Sequence, residues 1–305
     1  MILLYGLGHE TPIQMIGNSL EELNQNFFTV NINSLENTDI HLEYNGDLLL
    51  GEVSVGNKSY SIKDISGIYN RSVDLSLFPE FQHVDVGDYS KIILKAKSEL
   101  FNNLLEWKGI RVLNPNRPMV SNSSKLYQMM IIQKCGFLIP NSIIPNKIEK
   151  LNAFRRNFQQ VIFKSASGVR SIVKKLDDSY DMQNILNCPT LFQKCLEGSN
   201  IRVHVVGDDV FATEIVSDGI DYRYSNRENF KTDLREIKLD SDIQKKCIKL
   251  SQILQLPLAG IDLFKSKDNR WYCFEVNPSP GFSYYENHTD QPISMSIAKY
   301  LANLN

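Results

Sequence analysis

The sequence predicts an α/β protein with two or three sub-domains. In the first part of the chain, short apolar runs alternate with amphipathic helical stretches, which is typical of α/β sheets. From residue 39 the residues instead alternate between polar and apolar, and two hairpin signals follow, Asn45-Gly46 and Gly56-Asn57. The rest of the chain combines strand pairs with helices, and 305 residues are enough for more than one core.

The N-terminal elements follow one another closely. "MILLYGL" predicts a buried first strand, and "TPIQMIGNSLEELNQ" predicts a helix with Thr11 as its cap and Pro12 in its first turn. A strand, a long amphipathic helix and another strand are predicted for "DISGIYNR", "DYSKIILKAKSELFNNLLEWKG" and "IRVLN". The Pro/Asn/Ser-rich segment "NPNRPMVSNSS" then predicts a linker and a first boundary.

Helices and strand pairs follow the linker. Helices are predicted in "SKLYQMMIIQKCGFLIP" (ending at Gly136), "KIEKLNAFRRNF", "DDSYDMQNILN", "SDIQKKCIKLSQILQL" and "DQPISMSIAKYLANL". Strands are predicted on both sides of the small-residue loop in "QQVIFKSASGVRSIVKKL", three in "PTLFQKCLEGSNIRVHVVGDDVFATEIVS", and a pair turning at "SKDN" in "LAGIDLFKSKDNRWYCFEVN".

Composition narrows the class of protein. The chain is 42% hydrophobic and 22% charged with a net charge of −2, which gives no reason to expect nucleic acid or a membrane as partner. No apolar run approaches the roughly 18 residues of a membrane span, and the N-terminus lacks the basic region of a signal peptide. Five cysteines without CxxC spacing and five scattered histidines favour reduced thiols in a cytoplasmic protein over a disulfide framework or a zinc site.

Three oxygen-bearing side chains mark the last strand pair. If the strands pair through "SKDN", Asp262 and Glu275 lie close together and Asn277 follows one side-chain period later. Oxygen ligands without sulfur or imidazole are typical of a magnesium site. The alternative is an ordinary solvated strand end. Pro278 and Pro280 restrict the backbone directly after this set.

Basic residues supply the complementary charge. Lys125 opens a predicted helix, and Lys164 ends the strand "VIFK" before the small-residue loop "SASG", which contains Ser165 and Gly168 and could close over a phosphate chain. Arg202 has apolar neighbours on both sides, which is unusual unless a ligand satisfies its charge, and Arg223 lies in "IDYRYS". Each of these residues alone is more often an ordinary surface charge.

Six motifs in order, together with the residues above, resemble the ATP-grasp superfamily. They are "SKLYQMMIIQKCGFLIP", "VIFKSASGVRSIV", "LFQKCLEG", "NIRVHVVGDDVFATE", "GIDLF" and "FEVNPSPGF", which run from about residue 120 to 290. They are most similar to the RimK-like branch, which contains ribosomal-protein glutamate ligases and macrocyclases of ribosomal peptides. The order of six motifs is far more specific than any one of them.

The resemblance implies a role for each matching position. Lys125 and Lys164 match the lysines that contact the ATP phosphates, with Ser165 and Gly168 in the phosphate loop. In the hinge motif, which contains Gln193, the backbone of Lys194, Cys195 and Leu196 would read the adenine edge, and Glu197 would bind the ribose. Arg202 and Arg223 match arginines near the transferred phosphoryl group, and Asp262, Glu275 and Asn277 match the ligands of two magnesium ions. Phe264 and Phe163 would wall the adenine slot.

The resemblance also implies the architecture and the activity. We expect an N-terminal α/β pre-ATP-grasp domain at 1–115 and two nucleotide-clasping sub-domains at 116–192 and 193–305. The expected enzyme is an ADP-forming, ATP- and Mg²⁺-dependent carboxylate-amine ligase that works through an acyl-phosphate, with an ester product as a variant. A peptide or protein is the expected substrate. The alternatives are a ligase of free amino acids or other small molecules and a non-catalytic ATP-binding protein, and homo-oligomerisation stays open.

Two departures from the family pattern concern the phosphate loop and the segment before Arg202. The loop has one glycine, Gly168, where Arg170 could replace backbone contacts, and Asn200 stands where an acidic residue is common. After Gly281, "FSYYENH" offers Tyr284, Tyr285 and Glu286. These residues would line the acceptor side or form a packed aromatic turn, and the sequence supports both readings equally.

Overall fold

A computed structural model describes residues 1–82, 85, 87–166, 173–177, 180, 187–217 and 232–304, and it has the predicted mixed α/β architecture. The strands are β1 (Ile2–Gly6), β2 (Phe27–Asn31), β3 (Thr38–Asn45), β4 (Leu48–Val55), β5 (Lys58–Ser61), β6 (Gly67–Arg71), β7 (Arg111–Leu113), β8 (Ser142–Ile143), β9 (Val161–Ser165), β10 (Lys174–Lys175), β11 (Thr190–Lys194), β12 (Gly198–Val206), β13 (Asp209–Ser217), β14 (Thr232–Ile237), β15 (Leu258–Ser266) and β16 (Trp271–Asn277). The helices are α1 (Thr11–Glu22), α2 (Pro79–Gln82), α3 (Tyr89–Leu104), α4 (Asn116–Met119), α5 (Lys125–Lys134), α6 (Ile148–Arg156), α7 (Ser241–Ile253), α8 (Ser283–Thr289) and α9 (Ile293–Ala302).

The N-terminal region is built on a parallel sheet with strand order β2-β1-β6-β7. Every residue of β1 is buried, as expected for a strand covered on both faces. Helix α1 begins at Thr11 with Pro12 in its first turn, but the cap position is Glu10, so the prediction of Thr11 as cap is wrong. The Glu10 side chain does not cap the helix, because its carboxylate binds Arg71 instead.

The predicted hairpins form a separate antiparallel sheet, β3-β4-β5. Both turns place a glycine in the left-handed region, with φ of 60° at Gly46 and 57° at Gly56, where a side chain would be strained. The predicted linker after β7 is more ordered than its composition suggested. It folds into α4 followed by a 3-10 turn over Val120–Ser123.

A small antiparallel sheet, β10-β9-β11-β8, forms the central region. Among the described residues its core consists of three buried side chains, Leu151 from α6, Val161 from β9 and Phe192 from β11. The predicted helix at 177–187 lies largely outside the described residues.

The C-terminal region is an antiparallel sheet with strand order β14-β13-β12-β15-β16. One face packs on α5 and α7 through Ile132, Cys247 and Leu250, among others. The other face meets α1, α8 and α9, so the N-terminal region and this sheet share a second core. Strands β2 and β14 and helix α8 were not predicted from the sequence patterns.

No helix in the described part of the chain has the combination of length and apolarity needed to cross a lipid bilayer.

Candidate active site

Three charged side chains form a row across the C-terminal sheet. Arg202 on β12 is the register partner of Asp262 on β15, and Asp262 is the register partner of Glu275 on β16. Directly paired residues of neighbouring strands point to the same face, with Cβ atoms about 5 Å apart. Asp262 and Glu275 therefore face the same side, as the sequence predicted. The ladder shifts register immediately after Asp262.

The next row contains His204, Gly260 and Asn277 in the same strand order. Asn277 thus lies one side-chain period beyond Glu275, at the end of β16. Its Oδ1 accepts a hydrogen bond of 3.0 Å from the backbone N–H of Ser279, which closes a turn through Pro278. An amide oxygen has a second lone pair, so this turn orients Asn277 without using all of its acceptor capacity.

The ion pair between Arg202 and Asp262 bears on which ligand this site can bind. Its Nη1 lies 2.5 Å from Oδ1 of Asp262, and their side chains are only 8% and 17% exposed. Two carboxylates on one face of a sheet repel each other unless a cation lies between or beside them. The guanidinium neutralises Asp262, and the oxygen donors of Asp262, Glu275 and Asn277 fit a hard divalent cation such as Mg²⁺.

A cavity of about 440 Å³ lies between this sheet and the central sheet. Its walls include most of the residues that the sequence assigned to nucleotide binding: Lys164, Gln193, Lys194, Cys195, Leu196, Glu197, Phe264, Asp262 and Glu275. Asn200, the position that departs from the family pattern, also lines it. The two sheets thus bring together, across one cleft, side chains that are up to about a hundred residues apart in the chain.

Strand β9 presents alternate residues to this cavity. Ile162 and Lys164 line it, whereas Phe163 and Ser165 line a different cleft beside Tyr180. The prediction of Phe163 as a wall of the nucleotide slot is therefore wrong, because the side-chain period of two turns it to the opposite face. Ser165 lies on that opposite face as well. Lys164 is only 9% exposed, and it borders the second cleft as well as this cavity.

The hinge between β11 and β12 leaves two backbone N–H groups without an acceptor among the described residues. The N–H of Lys194 binds the carbonyl of Asn141 at 2.9 Å, and that of Cys195 binds the carbonyl of Gln160 at 3.0 Å. Across the described residues, no acceptor is found for the N–H of Leu196 or for that of Glu197. Of the three positions predicted to read the adenine edge, Leu196 is therefore the one whose N–H is available to a ligand.

Three other residues predicted to bind the nucleotide, Glu197, Phe264 and Cys195, differ in how accessible their side chains are to a ligand. Glu197 is ion-paired with Lys267 at 2.7 Å, and this hydrogen bond lowers the pKa of its carboxyl. Phe264 is buried and packs against the ring of Phe274, with centroids 5.5 Å apart. Burial raises the pKa of Cys195, so its thiol stays protonated at neutral pH.

Lys125 begins α5, one turn before Gln128. The Gln128 side chain is buried and pairs with both backbone groups of Val276, through bonds of 2.8 Å and 3.0 Å. Val276 lies between Glu275 and Asn277 on the edge strand β16, so Gln128 acts as a substitute for a neighbouring strand. Lys125 itself is not among the described residues that line the cavity.

Gly168, Arg170 and Arg223 lie outside the described residues, so the structure does not locate these three predicted positions.

The segment "FSYYENH" is a helix and not a turn, since α8 covers Ser283–Thr289. Tyr285 is buried, with its ring 5.8 Å from Cζ of Arg202 and 4.9 Å from the ring of His204. Glu286 accepts hydrogen bonds from N and Oγ of Ser294, so its carboxylate holds the start of α9. Tyr284 alone of the three predicted residues is exposed.

The N-terminal region contributes side chains that the sequence analysis missed. Asn114 is buried and donates to the carbonyls of Leu258 and Pro278, at 2.6 Å and 2.5 Å. Arg71 binds Glu10 at 2.6 Å and also reaches the carbonyl of Pro280 at 3.4 Å. Both residues end or follow predicted parallel strands, and ligand sites commonly form at the carboxyl ends of such strands. Their position at the carboxyl ends of these strands was the sequence signal that could have identified them.

A family comparison agrees with this geometry. The model of the RimK-like ATP-grasp domain matches residues 122–301. A curated relative, the probable alpha-L-glutamate ligase of Haemophilus influenzae (strain PittEE), is 26% identical over 209 residues, which cover 64% of this chain and 69% of that protein.

Solved structures share the whole architecture. One is a Chryseobacterium gregarium RiPP-associated ATP-grasp ligase in complex with ADP and a leader and core peptide, with a TM-score of 0.83 and 21% identity over 100% of this chain and 97% of that chain. Another is macrocyclase MdnC from Microcystis aeruginosa MRC, bound with precursor peptide MdnA. Its TM-score is 0.80, with 21% identity over 99% of this chain and 100% of that chain. At these identities the likeness establishes the fold.

Proposed function

The chain belongs to the RimK-like ATP-grasp family, and on that premise we propose that it is an ADP-forming, Mg²⁺-dependent carboxylate-amine ligase acting on a peptide or protein. The proposal specifies ATP as the phosphoryl donor and an acyl-phosphate as the activated intermediate. An amine then attacks the acyl carbon, and inorganic phosphate leaves. The proposal includes two magnesium ions and the sub-domain limits 1–115, 116–192 and 193–305.

The single observation that carries the proposal is the arrangement of charges around one cavity. Asp262 and Glu275 line it from one sheet, and Lys164 lines it from the other. A triphosphate with a divalent cation fits between them, because the metal would face the carboxylates and the phosphate oxygens would face the lysine. This arrangement serves positioning and electrostatics and needs no protein nucleophile.

Asp262, Glu275 and Asn277 are the residues that would hold magnesium. When bound, the metal supplies charge neutralisation for the β- and γ-phosphates. The role of the chain is to keep these ligands rigid. Gln128 fixes the backbone of Val276, and Asn114 fixes the carbonyl of Pro278, so the strand end is held on both sides of Asn277.

Arg202 would stabilise the transferred phosphoryl group. Its guanidinium lies beside Asp262 and is nearly excluded from solvent, where a fixed positive charge acts more strongly than in water. Lys164 and Lys125 would bind the phosphate chain from two sides. The free N–H of Leu196 and the ring of Phe264 would bind the adenine, and Glu197 would reach the ribose after separating from Lys267.

Two facts support a peptide as the acceptor or donor. Both structural relatives above are described as complexes with peptides. In addition, the N-terminal region carries an extra antiparallel sheet, β3-β4-β5, whose exposed residues Tyr44 and Leu48 offer apolar surface for an extended chain.

Substrate-dependent ADP formation tests the proposal. Purified protein with ATP and Mg²⁺ is supplied either with candidate peptides that carry Glu or Asp and Lys, or with the free amino acids. We expect a peptide to stimulate ADP release and to lose the mass of one water molecule. Stimulation by free amino acids alone would overturn the peptide assignment. Absence of ADP formation with either class, despite ATP binding, would overturn the ligase assignment.

A further inference from the structure

Arg202 rests directly against a glycine. Gly260 on β15 is the register partner of His204, one side-chain period from the Arg202–Asp262 pair. A Cβ added at Gly260 would lie 2.5 Å from Nη2 and 2.8 Å from Cζ of Arg202. Contacts this short do not occur between real atoms of these types, so any side chain at residue 260 would displace the guanidinium.

The need for glycine here arises from space and not from backbone conformation. The positive-φ glycines of the described residues are elsewhere, for example Gly198 and Gly207. Gly260 sits within the regular ladder of β15, where any residue could adopt the backbone angles. Its lack of a side chain leaves a slot in the sheet surface that the guanidinium of Arg202 fills.

Pro280 and Tyr285 also border this slot. The same added Cβ would lie 2.7 Å from Cβ of Pro280, which follows the turn after Asn277. The ring of Tyr285 lies 5.8 Å from Cζ of Arg202, a distance typical of a cation–π contact.

His204 completes the surroundings as a neutral group. It is fully buried, and neither ring nitrogen has a hydrogen-bond partner among the described residues. Burial and the neighbouring charge of Arg202 hold the pKa of His204 well below its usual range. The imidazole therefore adds no second positive charge beside the guanidinium, and it packs edge-on against Tyr285 with centroids 4.9 Å apart.

We propose that Gly260 is a positioning residue for Arg202: its missing side chain, between Pro280 and Tyr285, sets the place of the guanidinium beside Asp262. The inference rests on the proposed function only for the catalytic use of Arg202. The contact itself is a property of the folded chain. A methyl group at residue 260 turns the guanidinium away from Asp262 and from the phosphoryl group that it would stabilise.

A double-mutant cycle in kcat tests the catalytic part. Gly260→Ala should lower kcat at least about 10-fold, in the range expected for a displaced transition-state donor, while the Kd for ADP changes less than about 2-fold. Arg202→Ala removes both Arg202 atoms that the methyl group would meet and leaves only the contact with Pro280, so adding Gly260→Ala to Arg202→Ala should lower kcat less than about 2-fold further. The same additional loss in both backgrounds would overturn the proposal.

A matched control is Gly87→Ala, because a Cβ at Gly87 meets no atom of the described residues within 4 Å. It should leave kcat unchanged. If it lowered kcat as much as Gly260→Ala does, the effect would not be specific to the slot, and the proposal would be contradicted.

Urea unfolding of the protein without nucleotide or peptide tests the contact independently of activity. Gly260→Ala should lower the unfolding midpoint, and the decrease should be clearly smaller in the Arg202→Ala background, where only Pro280 remains to be displaced. An equal decrease in both backgrounds would refute the contact with Arg202. Since this cycle needs no ligase activity, a wild-type protein without ADP formation would contradict the proposed function and leave this test intact.

Discussion

The two sheets that face each other across the cavity are built very differently. The C-terminal sheet, with the row Arg202, Asp262 and Glu275, packs on α5 and α7 through a large core and shares a second core with the N-terminal region. The central sheet, with Lys164, has three buried core side chains among the described residues. The metal-binding side is therefore expected to be the rigid partner, and the phosphate-binding side the less stable one.

The difference in core size between the two sheets matches the different rigidity that their proposed roles require. Metal ligands must be held within narrow distances, and the strand end that carries the proposed ligands Glu275 and Asn277 is tied to its surroundings by Gln128 and Asn114. A lysine that binds phosphate acts as a point charge on a flexible stem and tolerates movement of its support. A sheet with a small core is sufficient for that purpose.

Removing a carboxylate from the rigid side should have the largest effect. We expect Glu275→Gln to lower the rate of ADP formation at least about 10³-fold, because a neutral amide cannot replace a carboxylate that holds a divalent cation. The rate is measured at saturating ATP and over a range of Mg²⁺ concentrations.

The exposed carboxylate of Asp233 on β14 provides a control, and Asp233→Asn should leave the rate unchanged. Thermal unfolding of both variants should resemble that of the wild type. Unchanged turnover in Glu275→Gln would refute the metal assignment.

Core truncations compare the two sheets directly. Leu250 on α7 and Leu151 on α6 are both fully buried, in the large and the small core respectively. Leu250→Ala should destabilise the whole protein by about 2–5 kcal/mol. Leu151→Ala should mainly increase amide hydrogen exchange in β8, β9 and β11, because that core supports little else.

Native-state hydrogen exchange with peptide-level resolution measures both. Equal loss of protection in β12, β15 and β16 in the Leu151→Ala variant would show that the two sheets unfold together, which contradicts the comparison.

On the less stable side, Lys164→Ala should weaken ATP binding by about 10- to 100-fold, since it removes a nearly buried ammonium from the cavity wall. The affinity is measured by isothermal titration with a non-hydrolysable ATP analogue. Lys174 on β10 is exposed and lines the opposite cleft, so Lys174→Ala is the matched control and should bind as the wild type does. An identical affinity for Lys164→Ala and wild type would count against the phosphate role.

The smallest effect is expected at the hinge thiol. Cys195→Ser should change turnover less than about 2-fold, because the hinge offers its backbone and not its side chain to the ligand. Burial raises the pKa of Cys195, so iodoacetamide at neutral pH should modify the exposed Cys188 first. Inactivation of the enzyme by Cys195→Ser would show that the thiol takes part in the reaction.

Much of this site could be predicted because it depends on strand registers. The turn "SKDN" sets the pairing of β15 with β16 as far as Leu263 opposite Cys273, and the register shift next to Asp262 then brings Asp262 opposite Glu275. The same period of two was overlooked at Phe163, which the alternation along β9 turns away from Lys164. Counting two residues back from Lys164 along β9 would have identified Ile162 as the apolar residue that lines the cavity.

Contacts between distant parts of the chain could not be predicted in this way. Asn114 and Pro278 are 164 positions apart, and no local pattern links them. From the sequence, Glu286 appeared available to a substrate. Its hydrogen-bond partner, Ser294, lies in the following helix, and no local pattern links the two residues. The role of Gly260 depends on the position of the Arg202 side chain, which belongs to another strand. The periodicity of the sequence does not predict that position.

The most direct test of the account is a crystal structure with Mn²⁺ in place of Mg²⁺ and a non-hydrolysable ATP analogue. We predict an anomalous peak about 2 Å from carboxylate oxygens of Asp262 and Glu275, with the triphosphate between that peak and Nζ of Lys164. A peak coordinated elsewhere, or a nucleotide outside the cavity between the two sheets, would contradict the account.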